Sequence, residues 1–319
     1  MDALTDVLRA MRLSGAVFLE GEFTAPWSIS SHVDPQDCRP FMPPPVQLIA
    51  YHYVLEGRLL LQVEGEPPVD AGAGRLLMLP RNEPHILASA PGLPPANADD
   101  LVEPAGEDGL ARIRFGGGGP VTRILCGFLG SDNRADPLLA SLPPVVNLDL
   151  TGNLTGTWIE GSVRYAAREL AGGGPGASVN LARLAELLFA EAVRQYLKAL
   201  PRARTGWLAG LCDPHVGRAL ALMHRRPGHP WTLDELAREV GLSRSALAER
   251  FGRFVGASPI RYLQRWRIEL AAARLTDGRQ PIAQIAYETG YESEAAFSRA
   301  FKRELGRSPG AFRRPAGAE

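Results

Sequence analysis

The chain has 319 residues, of which 45% are hydrophobic and 22% charged, with 35 basic side chains balancing 35 acidic ones. That length suggests two domains, each able to bury its own core, and no run approaches the roughly 18 consecutive apolar residues of a membrane span. The zero net charge hides an asymmetry, because residues 1–209 carry −6 and residues 210–319 carry +6; a polyanion is then expected to meet the second half, although a solvated basic face would have the same composition.

The opening stretch, MDALTDVLRAMRLSG, is amphipathic and holds Asp2 and Asp6. It lacks the basic start and apolar run of a signal peptide, so a cytoplasmic protein is expected. Cys38, Cys126 and Cys212 are too few and too scattered for a disulfide framework. Cys38, in a Pro-rich segment, is expected to be exposed, and Cys212 to be structural.

Residues 16–150 read as β-rich. Tyr51 to Val63 has strand-forming residues on both sides of a break at Glu56-Gly57. Further strands are expected at Leu76–Leu79, from His85 to Ala88, and at Val121–Leu129, with Pro and Gly between them as in barrels and sandwiches. Ser89 to Pro120, rich in Pro, Gly and Asp, reads as a long mobile loop.

From about residue 155 the period becomes helical. Helices are expected at Trp158–Leu170 and Ser178–Leu200, with a break at Gly172–Gly176. The second has a stripe of Leu181, Leu184, Leu187, Leu188, Ala192 and Val193. Pairing of two such stripes predicts a homodimer; packing on the chain's own barrel is the competing explanation. Residues 201–205 read as a linker.

Residues 232–251, TLDELAREVGLSRSALAERF, carry an N-cap Thr232 with Glu235 completing a capping box. Leu233, Leu236, Ala237 and Val240 form a buried face, and Gly241 stands where a positive φ ends the helix. Ser243 caps a second helix with Ala246, Leu247 and Phe251 inward. A turn this short forces the helices to cross, which is the helix-turn-helix arrangement. Residues 281–301 repeat it with Pro281, Ile282, Ile285, Ala286, Gly290, Ser293, Ala296, Phe297 and Phe301. The glycines lie 49 residues apart (290 − 241) and the phenylalanines 50 apart (301 − 251). Between the units, Ser258-Pro259 starts a helix running to about Thr276, roughly 27 Å long. A rod of that length suits two recognition helices entering successive major grooves about 34 Å apart.

These residues, with Gly290-Tyr291, Phe297-Ser298-Arg299, Phe301-Lys302, Gly306, Ser308-Pro309 and Phe312-Arg313, make residues 213–314 resemble the DNA-binding domain of the AraC/XylS family. The resemblance implies that Arg244, Ser245, Ala248 and Glu249 face bases in the first unit, with Arg250 nearby. In the second it implies Glu294, Ala295, Ser298 and Arg299, with Lys302 near phosphate. Ser245, Ala248 and Glu249 stand where larger polar or basic residues are often found in the family, which weakens direct readout by the first unit.

Residues 16–150 resemble the cupin-type sensor (the cupin 6 subgroup) that precedes such domains. The carrying residues are His52 to Gly57, Gly74 to Pro80, His85, Leu125-Cys126-Gly127, and Pro137-Leu138-Leu139 through Leu142-Pro143. His85 matches the second cupin metal motif, but the His-x-His pair of the first is absent, which argues against an iron or manganese enzyme site. His52, His85 and Cys126 remain candidates for reading an effector. As a set they would suit zinc; redox sensing by Cys126 and plain structural roles for all three are the alternatives.

The expected architecture is therefore two domains. An all-β cupin-like barrel (1–155) is followed by a helical dimerisation and linker region (156–205). An all-α domain (206–319) then holds two helix-turn-helix units joined by a long helix. The expected function is a sequence-specific transcription regulator, not an enzyme, that binds double-stranded promoter DNA, acts with RNA polymerase and answers a small-molecule, metal or redox effector. The competing assignments are a cupin enzyme with an accessory DNA-binding domain, and a constitutive DNA-binding protein whose barrel only dimerises.

Overall fold

A computed structural model describes residues 4–5, 8, 13–38, 45, 47–104, 111–131, 137–151, 157–159, 161–162, 165, 177–199, 206–276 and 280–313. The chain divides into two compact units. One comprises residues 12–134 and 142–199; the other comprises 1–11, 135–141 and 200–319.

The first unit is built from two sheets. The larger has seven strands in the order β12-β6-β3-β11-β1-β10-β9: β1 (Leu13–Thr24), β3 (Gln47–Glu56), β6 (Arg75–Leu79), β9 (Val102–Glu103), β10 (Ala111–Gly116), β11 (Val121–Ser131) and β12 (Val146–Asp149). The smaller has five in the order β5-β4-β7-β2-β8: β2 (Ser28–Ser31), β4 (Arg58–Val63), β5 (Val69–Gly72), β7 (His85–Ala88) and β8 (Ala96–Asn97). The chain crosses from one sheet to the other at Gly57, whose φ of 77° admits glycine and strains most other residues. A Cβ there would also lie 2.4 Å from the Val121 carbonyl oxygen. The strands thus form two sheets rather than one closed hydrogen-bonded ring. Side chains from both, including Phe23, Val54, Leu59, Leu61, Leu77 and Leu87, make the core between them.

Strand β3 is buried at seven successive positions, which alternation alone would not produce. Its other face is covered. Helix α2 (Ala177–Ala199) buries Leu188, Phe189, Ala192 and Val193, and Leu188, Phe189 and Ala192 line a small crevice with Tyr51, Leu76, Met78 and Leu129 of the large sheet. The described half of the expected dimer stripe therefore packs on its own domain, while Leu187 is 58% exposed. The side chains of Leu181 and Leu184, and most of the helix expected at Trp158–Leu170, lie outside the described residues.

Two expectations change here. Ser89–Pro120 is not one long loop, since it contains β8, β9 and β10. Strand β10 pairs parallel to β1 from Leu19↔Ala111 to Thr24↔Gly116, with Ala111 and Ile113 buried. Its alternation is short and lies beside glycines, so turn signals masked it. Cys38 is fully buried with Leu48 and Phe128, not exposed, because Pro35–Cys38 forms a 3-10 turn folded against the sheet.

The second unit is helical: α1 (Pro137–Ser141), α3 (Trp207–Cys212), α4 (Pro214–Arg225), α5 (Leu233–Val240), α6 (Arg244–Val255), α7 (Pro259–Thr276), α8 (Ile282–Glu288), α9 (Glu294–Leu305) and α10 (Pro309–Arg313). Ile268, Ala271 and Leu275 of α7 pack with Ile285, Ala286, Phe297 and Phe301 in the core of the C-terminal half. Among the described residues no helix is long and apolar enough to cross a membrane.

Candidate nucleic-acid interface and interior cavity

Helices α5–α6 and α8–α9 are the two expected helix-turn-helix units. Gly241 ends α5 at φ 74°, and Gly290 follows α8 at φ 86°. Ser243 accepts from the Ala246 amide and Ser293 from the Ala296 amide, each at 3.2 Å. The repeat extends further than the sequence analysis took it. Gly256 and Gly306 both cap helices in the left-handed region. Ser258 and Ser308 then accept from Arg261 and Ala311 amides at 3.4 Å, ahead of the buried Pro259 and Pro309. The spacing of 50 was visible in the two Gly-x-Ser-Pro segments.

The expected capping box forms only in part. Thr232 accepts from the Glu235 amide at 3.1 Å, but the Glu235 carboxylate lies 2.8 Å from His229 Nε2. That bond helps hold the carboxyl below its ordinary pKa.

On α6, Arg244, Ser245 and Glu249 are exposed and Ala248 partly so. On α9, Glu294, Ala295, Arg299 and Lys302 are exposed and Ser298 partly so. Arg250, expected near the bases, is ion-paired within the protein. Its guanidinium donates to both carboxylate oxygens of Asp213, at 2.6–3.0 Å. Asp213 in turn caps α4 by accepting from the His215 and Val216 amides at 3.1 and 3.0 Å. Burial raises the Asp213 pKa, and the Arg250 and backbone hydrogen bonds outweigh it, leaving the carboxyl below its usual range. The pair holds α6 against α4 through Nε and one terminal nitrogen of Arg250.

Arg267, which the sequence analysis did not single out, lies mid-way along α7. It donates to the carbonyls of Pro227 (2.7 Å), His229 (2.8 Å) and Gly290 (3.3 Å). One guanidinium thus ties the loop before the first unit to the turn of the second.

In the strand-rich unit, His52 and His85 converge. His52 sits on β3 of the large sheet between Leu77 and Cys126 in register; His85 sits on β7 of the small sheet beside Ser31 and Val63. Both are buried, and their Nε2 atoms lie 2.8 Å apart, a hydrogen bond joining the two sheets. Two nitrogens on a tetrahedral zinc would stand about 3.3 Å apart. Among the described residues no group of three or more His, Cys, Asp or Glu side chains could hold a metal. The zinc set His52–His85–Cys126 is therefore not assembled. Cys126 lines the same cavity as His52, but burial pushes its thiol well above the ordinary range, opposite to the low-pKa thiolate that redox sensing requires. Cys212, expected to be structural, is an exposed free thiol.

The cavity between the sheets has a volume of about 420 Å³, within the size range of small-molecule sites. Leu19, Ile29, Leu87, Ile113 and Phe128 give it apolar walls, and Ser31, His52, Asp99 and Cys126 are among its few polar residues. Burial first, and then the neighbouring His85, hold the His52 pKa well below its ordinary value, so its imidazole is neutral.

A two-sheet domain joined in one chain to paired helix-turn-helix units defines a DNA-binding transcription regulator. Residues 2–198 match the family described as Cupin, and residues 236–315 match the one described as Helix-turn-helix domain. A putative AraC-like transcription regulator of Streptomyces antibioticus is 38% identical over 269 residues, covering 84% of this chain and 88% of that one. Its counterpart from Streptomyces lividans is 37% identical over 269 residues, covering 84% and 87%. The HTH-type transcriptional regulator AlkR of Acinetobacter baylyi is 28% identical over 328 residues, covering 98% and 99%. The chain belongs to the AraC-type DNA-binding transcription regulators with an N-terminal cupin domain.

Proposed function

We propose that this regulator binds promoter DNA through α6 and α9, and that a small molecule in the cavity between the two sheets controls it. The observation that carries the DNA assignment is the pair of capped units with their exposed helix faces, lying in the half of the chain that carries +6. Arg244, Ser245, Ala248 and Glu249 are the proposed groove-facing residues of α6. Glu294, Ala295, Ser298 and Arg299 are those of α9, with Lys302 on phosphate. The cavity supports a small-molecule effector over a metal, since three ligands are not brought together, and over a thiol switch, since Cys126 is held protonated.

We assign the sensing role to residues 1–155, the connecting helices to 156–205 and DNA binding to 206–319. The protein acts in the cytoplasm with RNA polymerase and without enzymatic activity, as a homodimer. With Leu188 and Ala192 covered by their own sheet, the exposed side around Leu187 is, among the described side chains of α2, the surface offered for pairing. The function is tested by binding the full chain to duplex DNA from upstream of its gene across a salt series. Affinity should fall linearly on a log–log plot, with a slope near −0.9 per phosphate contact. Salt-independent binding, or equal affinity for unrelated duplexes, would contradict it.

A further inference from the structure

The cavity between the sheets is apolar within and acidic where it opens. Its inner walls, among them Ile29, Ala50, Leu87 and Ile113, are at most 5% exposed. Two other lining residues, Asp99 and Val102, are exposed and so mark the mouth. A short turn places Asp99 there. Asn97 caps the 3-10 turn Ala98–Leu101 by accepting from the Asp99 amide at 3.3 Å, which sets the buried Ala98 in the wall and Asp99 at the rim. A second cleft adjoins the cavity, sharing Ser31 and Asp99 with it and adding the exposed Glu64, just beyond β4. Neither space has a Lys or Arg among its described lining residues. Arg112 and Arg114 of β10, which alternate with the wall residues Ala111 and Ile113, are ion-paired with Glu20 at 3.7 Å and with Glu103 at 3.0 Å.

We propose that the effector is an amphiphilic organic cation, an amine or quaternary ammonium on an apolar body, with the body in the cavity and the positive head at its mouth against Asp99 and Glu64. This rests on the reading of the cavity as the sensor site. A charged head cannot follow the body inside, because the inner walls are aliphatic and His52 among them is neutral; an unpaired charge is too costly to bury there. The head therefore stays at the mouth, where the charged lining residues are acidic. An anionic head would meet carboxylates and no Lys or Arg among the described lining residues. A neutral ligand long enough to reach the rim would strip water from the Asp99 carboxylate and return nothing to it.

The test uses the full chain and two matched sets of probes. One set is octylammonium, 1-octanol and octanoate; the other is 2-naphthylmethylammonium, 2-naphthylmethanol and 2-naphthoate. At about pH 8 imidazoles are neutral while the amines keep their charge. An exposed ion pair changes a binding constant by about 1.4-fold to fivefold, and repulsion of the anion acts in the same direction. Calorimetry should therefore find the ammonium of at least one set binding roughly tenfold tighter than its carboxylate, with the ratio shrinking as salt rises. In protein with ¹³C-labelled methyls, Ile29, Leu87 and Ile113 should shift with every probe that binds. Asp99→Asn with Glu64→Gln should bring the ratio close to one while the alcohol still binds; the salt series on the unaltered chain carries the test where that variant does not fold. Equal affinities for ammonium and carboxylate in both sets, tighter binding of a carboxylate, or a ratio unchanged in the folded double variant would overturn the cationic assignment and leave the cavity as a sensor intact. Binding by none of the six probes, or binding that leaves those methyls unmoved, from a preparation that still binds DNA with the expected salt slope, would overturn both.

Discussion

The buried imidazole of His224 makes the DNA-binding unit acid-sensitive by a calculable amount. Its ring stacks on Trp266, with centroids 4.1 Å apart and planes 7° from parallel. Its Nε2 lies 2.6 Å from the Tyr262 hydroxyl, which accepts from Trp207 Nε1 at 3.0 Å. The hydroxyl and Nε2 share one hydrogen bond, and the other ring nitrogen is buried and unpartnered among the described residues, so nothing there stabilises a charged ring. Burial lowers the pKa of the folded protein to about 3, against roughly 6.5 in the unfolded chain. The unfolded state binds the extra proton, so stability is greatest above pH 6.5 and is lost as pH falls from there towards 3. The slope is about 1.4 kcal/mol per pH unit, giving a loss of roughly 2 kcal/mol at pH 5. For a domain of about 100 residues that is a fall of roughly 8–16 °C in melting temperature. Urea titrations followed by tryptophan fluorescence at pH 7, 6 and 5 would measure it. His224→Phe keeps the stack and removes the titration, so the variant should start less stable, for want of the Tyr262 hydrogen bond, and show a flat profile. An unchanged slope in the variant, or a folded-state His224 titrating near 6.5 by NMR, would refute the reasoning.

The other predictions concern Arg299, Arg250, Arg267 and the α2 helix. Arg299→Ala should relax base preference at one position, with a loss of about 1–3 kcal/mol of discrimination, whereas a uniform weakening over all sequences would make Arg299 a phosphate contact. Arg250→Ala should instead lower the melting temperature and leave the salt slope of DNA binding as it was; a slope reduced by about one with stability intact would return Arg250 to the interface. Arg267→Ala removes the tie between the Pro227–His229 loop and the Gly290 turn, and should weaken binding to a two-groove site far more than to either half-site, as a competition assay with split duplexes would reveal. Leu188→Asp should unfold the cupin domain, and Leu187→Asp should dissociate the homodimer in sedimentation without unfolding it; a dimer insensitive to Leu187→Asp would exclude that face.

The helical half was legible because its determinants are local. Gly241 and Gly290, Ser243 and Ser293, and the inward leucines and phenylalanines each act within a few residues, so spacing alone identified both units and the rod between them. What stayed hidden depends on partners distant in sequence. Arg250 lies among groove-facing residues and reads as one of them, and only folding brings Asp213, 37 positions away, against its guanidinium. Arg267 looks like one more exposed arginine on an amphipathic helix until its three carbonyls are in place. Strand β10 was lost because Ala-Arg-Ile-Arg-Phe is shorter than the punctuation around it. His52 and His85 were picked out as reactive side chains, but their direct bond belongs to the juxtaposition of two sheets, which no periodicity encodes.

The two helix-turn-helix units share their caps and their core yet differ on the surface offered to DNA. On α6 the exposed residues include Ser245 and Glu249, with Ala248 beside them, and the arginine that follows is tied to Asp213. The one exposed cation among its proposed contacts, Arg244, stands 3.7 Å from Asp234. On α9 both Arg299 and Lys302 are exposed. Phosphate attraction and guanine readout should therefore concentrate in the second unit. The first would then contribute mainly shape and backbone amides at the start of α6, where Ser243 and the helix N-terminus favour a phosphate. Such a division makes the rigidity of the connection matter. If α9 carries most of the sequence information, a weakly reading α6 can still add affinity only when it is held in register, and Arg267, bonded on both sides of α7, is the residue placed to hold it.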